Sequence, residues 1–166
     1  MENHAATDAA HQHMSPGAVL AQVRELRQES KHEQALALLR RLESSDRLEA
    51  WLMRADSVFE VGQHAPQTVL LEESITAWQY CLKLLPTHAS PEEQVRLQCG
   101  LADALFVLGG CESGAERLLV AVAAYRDALQ YCSLQRAPLH WGLIFYNLGA
   151  ALYILGVREA DPALLE

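Results

Sequence analysis

The side chains of this chain that could do chemistry are seven histidines, four cysteines and the adjacent carboxylates Glu72-Glu73 and Glu92-Glu93. Neighbouring residues on a helix point to different faces, so neither glutamate pair converges on one bond as a general acid and base must. Glu72 and Glu73 also fall near a predicted helix start, where the helix dipole favours anions. Cys81, Cys99, Cys111 and Cys132 form no C-x-x-C pair and have no histidine at ligand spacing. They read as reduced thiols that pack like small apolar groups. His32, His64, His88 and His140 sit near predicted helix ends or loops, without a partner three or four residues on that would make a metal face. His4, His11 and His13 form only a histidine-bearing tract in a polar leader. No phosphate-cradling glycine loop, G-x-S-x-G or H-E-x-x-H motif is present. The expectation is a non-enzymatic protein with no cofactor and no metal.

Composition narrows the partner. A length of 166 residues suits one domain or a short helical array, and 51% hydrophobic residues supply a core. The net charge of −8, with arginines scattered and not gathered in a stripe, repels nucleic acid. A partner protein with basic residues fits that field better. Residues 1–14 are polar and lack the basic start and apolar run of a signal peptide. No uninterrupted apolar stretch reaches the roughly 20 residues that span a bilayer. The expected location is the cytoplasm, away from membranes.

Residues 1–14 therefore read as a disordered leader and 15–166 as a helical domain. Ser15-Pro16 has the form of a helix start, with proline where its missing N–H costs nothing. Val19, Val23 and Leu26 form one helical stripe, and Leu36, Leu39 and Leu42 another. Strand alternation and Asn-Gly or Asp-Gly hairpin dipeptides are absent. The pattern predicts an all-α chain with helices at about 16–29, 32–43, 47–61, 68–85, 91–109, 114–134 and 138–156.

What positions these helices is an internal repeat. Arg54-Ala-Asp-Ser-Val-Phe-Glu-Val-Gly62, Leu101-Ala-Asp-Ala-Leu-Phe-Val-Leu-Gly109 and Leu148-Gly-Ala-Ala-Leu-Tyr-Ile-Leu-Gly156 align with their closing glycines 47 residues apart. Ile75, Ala77, Trp78 and Leu82 match Val122, Ala124, Tyr125 and Leu129 at the same offset, as Pro91 matches Pro138. Ala55, Ala102 and Gly149 allow a neighbouring helix to approach closely. Gly62, Gly109 and Gly156 fall where apolar periodicity ends and read as left-handed C-caps. Ser90-Pro91-Glu92-Glu93 is a capping box, and Asp46-Arg47-Leu48-Glu49 a close variant. Trp78 and Tyr125 are placed to wedge between successive pairs. A pair of antiparallel helices cannot bury both its apolar faces alone, so such pairs stack.

At these residues the chain resembles the tetratricopeptide repeat family. Phe145-Tyr-Asn-Leu-Gly-Ala-Ala-Leu-Tyr-Ile-Leu-Gly156 is similar to the first helix of such a repeat, and Ala121-Val-Ala-Ala-Tyr-Arg-Asp-Ala-Leu129 to the second. The period of 47 departs from the standard of about 34 and resembles the extended units of bacterial arrays. The resemblance implies a right-handed α-α superhelix of about three and a half helix pairs over residues 17–166. The last pair is incomplete: Leu165 lies 47 positions after Leu118. The apolar face left there belongs to a longer protein, or packs on a partner or a second copy.

The resemblance also implies that the first helices line a concave groove where a peptide or amphipathic helix of a partner binds. Carried over, the groove comprises Glu49, Leu52, Met53, Asp56 and Phe59, then Arg96, Cys99, Gly100, Asp103 and Phe106, then Leu143, Tyr146, Asn147, Ala150 and Tyr153. The row Phe59, Phe106 and Tyr153 beside Asp56 and Asp103 suits a segment with apolar anchors and at least one Arg or Lys. The same aromatics are equally read as packing residues between units, and the aspartates as solvated helix-face charges. The family's carboxylate clamp, which wants Asn, Lys and Arg in succession, is not expected. Only Asn147 and Arg96 remain of it, with Met53 and Gly100 where Asn belongs. The alternative to a peptide-binding scaffold is a module that dimerises through its open C-terminal face.

Overall fold

A computed structural model describes residues 15–40, 48–64 and 68–159. The leader at 1–14, the cap at Asp46 and the incomplete unit at 161–166 lie outside the described residues. Among those described are seven α-helices and no strand, so the chain is all-α. They are α1 (Pro16–Gln28), α2 (His32–Arg40), α3 (Leu48–His64), α4 (Thr68–Leu84), α5 (Pro91–Cys111), α6 (Glu116–Tyr131) and α7 (Pro138–Glu159).

Local chemistry sets the ends. Ser15 Oγ accepts the backbone N–H of Ala18 at 3.3 Å, with Pro16 in the first turn. α1 closes in a Schellman motif: Lys31 N–H donates to Leu26 O at 2.8 Å and Ser30 N–H to Arg27 O at 3.0 Å, with Ser30 left-handed at φ 57°. α5 opens on a reciprocal capping box, Glu93 N–H to Ser90 Oγ at 3.2 Å and Ser90 N–H to Glu93 Oε2 at 2.8 Å. At its other end, Arg158 of α7 donates to the carbonyls of Gly109 at 3.0 Å, Gly110 at 3.3 Å and Gly114 at 2.5 Å. A guanidinium from the next pair thus satisfies carbonyls that α5 and its loop leave open.

The glycine C-caps expected at Gly62, Gly109 and Gly156 are not formed. The helices continue to His64, Cys111 and Glu159, and no described glycine has positive φ. Two of these glycines are contact points instead. A Cβ on Gly62 would stand 3.3 Å from Leu71 Cδ2, and one on Gly109 would stand 3.0 Å from Leu118 N and Cγ. Leu71 and Leu118 are themselves 47 apart. The apolar periodicity fades at the glycine because the following helix lays its leucine on that bare stretch of backbone. At Gly156 no described residue lies within 4 Å of such a Cβ.

Packing follows chain order, most extensively within the pairs α3/α4 and α5/α6, and the first helices of successive pairs also meet, α1 with α3, α3 with α5, and α5 with α7. Ala55 and Ala102 are fully buried, as close approach requires, whereas Gly149 is exposed. One apolar cluster runs through α3–α7, around Leu71, Leu105, Leu118, Tyr125 and Ile144. A smaller one joins Val23 of α1 and Leu39 of α2 to Ala50 and Met53 of α3.

α7 buries Ile144, Leu148, Ala151 and Leu155 and leaves the rest of an apolar surface open: Leu139, Tyr146 and Tyr153 are 86%, 75% and 73% exposed. By length and composition Pro138–Arg158 is long and apolar enough to cross a membrane, whereas the sequence expectation counted only apolar stretches free of polar interruption.

Candidate functional site

A groove of about 500 Å³ opens between α3, α5 and α7, with side chains of α4, α6 and the 132–137 loop also lining it. That volume lies in the range of sites that take a small molecule or a few side chains of a peptide. Phe59, Trp78, Val95, Tyr131, Leu143 and Ile144 give it apolar walls, and Asp56, Arg96, Asp103 and Asn147 its polar points.

The two aspartates occupy the same place in successive units, 47 residues apart, with different surroundings. Asp56 Oδ2 accepts from Arg27 Nη2 and Arg96 Nη2, both at 3.0 Å. Two guanidiniums therefore neutralise it. Asp103 Oδ1 accepts from Tyr125 Oη at 2.6 Å and from Asn147 Nδ2 at 3.0 Å. No cation among the described residues pairs with it. Burial raises the Asp103 carboxyl above the usual aspartate value, and the bonds from Tyr125 and Asn147 only partly offset that. Burial likewise raises the Tyr125 hydroxyl, joined by the neighbouring Asp103 charge, so Tyr125 stays a proton donor to the carboxylate.

Gly100 lies under Trp78. A Cβ at position 100 would stand 2.5 Å from Cε2 and Cζ2 of the ring, so only glycine permits this contact. The equivalent positions one unit on are Tyr125 and Asn147, a smaller ring facing a larger side chain. The indole N–H of Trp78 is buried and finds no acceptor among the described residues. Cys99 also lines the groove, its thiol raised by burial to about 12, with Asp103 adding to the shift. It is a neutral wall group and not a nucleophile at neutral pH. Among the described residues no three His, Cys, Asp or Glu side chains gather to hold a metal.

Of the groove residues expected from sequence, Asp56, Phe59, Arg96, Cys99, Gly100, Asp103, Leu143 and Asn147 are brought together here. The other seven, Ala150 among them, are not. Glu49 is exposed and ion-paired with Arg24. Leu52 packs against the main core, and Met53 is buried between α3 and the first pair. Phe106 packs partly buried on the main core, outside the groove. Tyr146 and Tyr153 stand on the open face of α7. Tyr131, Arg136 and His140 line the groove without having been expected there, whereas Trp78 and Tyr125 were expected only as wedges. The 47-residue offset makes Trp78 equivalent to Tyr125 and Gly100 to Asn147, so once one ring is found against Gly100 the other is expected against Asn147. Elsewhere Glu73 takes Arg54 and Arg40, each at 2.8 Å. Burial acts to raise Glu73, but the hydrogen bonds and charges of the two arginines prevail and hold it below the usual value.

No family model matches this chain, and neither a curated protein nor a solved structure is found similar to it.

Proposed function

We propose that this chain is a non-enzymatic protein-interaction scaffold, a tetratricopeptide-like α-α superhelix that takes a segment of a partner protein in the groove between α3, α5 and α7. The observation that carries the reading is the combination of apolar walls with Asp103, a largely enclosed carboxylate with no cation paired to it among the described residues. A partner with apolar anchors and a basic residue complements both features. The superhelical arrangement is supported by the 47-residue equivalence of Gly62/Leu71 with Gly109/Leu118 and by first helices that meet in succession. Burial raises both groove thiols, Cys99 and Cys132, which disfavours nucleophilic chemistry there and is in keeping with a binding role.

The experiment is affinity capture from native lysate with wild type, Asp103→Lys and Tyr146→Glu as baits. A protein held by wild type and Tyr146→Glu and lost by Asp103→Lys assigns the groove. Equal capture by all three ends the groove assignment.

A second reading rests on the open face of α7. Leu139, Tyr146 and Tyr153 are large apolar groups held in water, an arrangement usually covered by an interface. Dimerisation through that face would give a molar mass that rises with concentration in light scattering and returns to the monomer value in Tyr146→Glu. A concentration-independent monomer mass removes this reading.

A further inference from the structure

The repeat makes the groove its own control. Asp56 and Asp103 are equivalent, and so are Arg96 and Leu143, each pair 47 residues apart. Arg96 of α5 reaches back to Asp56 of α3 at 3.0 Å. The residue of α7 in the corresponding position, Leu143, has no charge to give Asp103. The second unit has the acid without the cation at this position.

The carboxylate is held in a fixed pose. Both donors, Tyr125 and Asn147, bond to Oδ1. Oδ2 accepts no hydrogen bond from the described residues, yet it is not among the sealed polar atoms, so it keeps access to the groove. Arg96, which lines the same groove, is engaged by Asp56. A carboxylate in a partly apolar site is poorly hydrated, and an arriving cation restores what burial removes.

The geometry also chooses the kind of cation. A guanidinium binds a carboxylate best as a fork across both oxygens, and one of these is already filled. An ammonium is a compact charge that needs a single oxygen. Leu143, Ile144 and Phe59 line the same groove and give it apolar surface suited to an alkyl stem. We infer that Asp103 Oδ2 is a binding point for a primary ammonium on an alkyl stem, placed where Arg96 puts its guanidinium at Asp56. The two sources of that chemistry are a lysine side chain of a partner segment and a free alkylamine. The first deepens the scaffold reading and rests on it.

The test is an NMR titration of the full chain with n-butylammonium, n-butylguanidinium and 1-butanol at constant ionic strength. Saturable shifts centred on Asn147 and Tyr125 are expected with n-butylammonium, weaker ones with n-butylguanidinium and none with 1-butanol. Asp103→Asn, which keeps an oxygen for Tyr125 and Asn147, is expected to weaken n-butylammonium at least tenfold. Leu143→Arg, on an exposed position, restores the internal guanidinium and is expected to block the site. Equal binding by Asp103→Asn, or n-butylguanidinium binding as tightly as n-butylammonium, overturns the inference. Nα-acetyl-lysine methylamide binding more tightly than n-butylammonium assigns the lysine source, and the reverse order assigns the free amine. Lysate capture separates the two claims. A partner lost by Asp103→Lys without any ammonium preference sinks this inference alone, and ammonium binding without a groove-dependent partner sinks the scaffold reading alone.

Discussion

Trp78 and Gly100 are matched across the boundary between two repeat units: the indole lies so close to the α5 backbone that a Cβ at position 100 would stand 2.5 Å from two ring carbons. The ring is 3% exposed and lines the groove, so it cannot step aside without disturbing both core and site. One unit further, the smaller Tyr125 faces the larger Asn147, and its hydroxyl bonds Asp103. The units trade volume between a ring and the residue beneath it.

Gly100→Ala should therefore destabilise the protein by about 1–3 kcal/mol, the usual penalty of overpacking a filled core. Trp78→Tyr combined with Gly100→Asn copies the next unit, and its loss should be smaller than the sum of the single losses. Urea denaturation of the four variants, Gly100→Ala, Trp78→Tyr, Gly100→Asn and the double substitution, checks this. An unchanged midpoint in Gly100→Ala would show that the ring is free to move.

Much of this was legible in the sequence because the 47-residue offset is a statement about neighbours. It placed α3–α7 within a few residues of their bounds and set Trp78 and Tyr125 at the joints between pairs. What it left ambiguous was the meaning of a glycine at the end of an apolar stripe. Gly62 and Gly109 have the composition of a helix stop and serve as landing sites for Leu71 and Leu118, two uses that one-dimensional pattern does not separate. Equivalence also fails where the array is irregular. Met53, Gly100 and Asn147 share a repeat position, but Met53 is covered by the differently spaced first pair, while Gly100 and Asn147 line the groove. Asp56 is neutralised by Arg27 from that same first pair, whose register the repeat does not fix. Tyr146 and Tyr153 project from the last described helix, which has no following pair among the described residues to bury them.

Asp103 makes stability depend on pH in the direction opposite to an ion-paired carboxylate. Its folded value lies above its unfolded one, so folding favours the protonated form. Its contribution is most favourable below the ordinary aspartate value and declines as pH rises toward its own raised value. Asp103→Asn removes this decline, so the stability of wild type relative to the variant should fall across that window. Glu73, held low by Arg40 and Arg54, supplies the reverse case: its contribution is present above the ordinary glutamate value and is lost on acidification toward its lowered value. Denaturation midpoints of wild type, Asp103→Asn and Glu73→Gln, followed from neutral pH down to well below the ordinary aspartate and glutamate values, check both signs. A wild-type curve parallel to that of Asp103→Asn would mean that Asp103 carries no desolvation penalty.

Ser30 is the one non-glycine residue with positive φ among those described, at 57°, and it sits at the turn that ends α1. The two hydrogen bonds of the Schellman motif hold it there, Lys31 N–H to Leu26 O and its own N–H to Arg27 O. A side chain in the left-handed region brings Cβ against the following carbonyl, at about 1–2 kcal/mol. Glycine removes that contact but gains freedom in the unfolded chain, which offsets part of the benefit. Ser30→Gly should therefore stabilise the protein by roughly 0.5–1 kcal/mol. The gain concerns the hairpin of α1 and α2, which buries Met53 and supplies Arg27 to Asp56. Hydrogen exchange should accordingly slow in α1, α2 and the facing turn of α3 more than in α6 and α7. Uniform protection across all seven helices would mean that the first pair unfolds only together with the rest, and a lower midpoint would mean that Ser30 makes a contact worth more than the strain it bears.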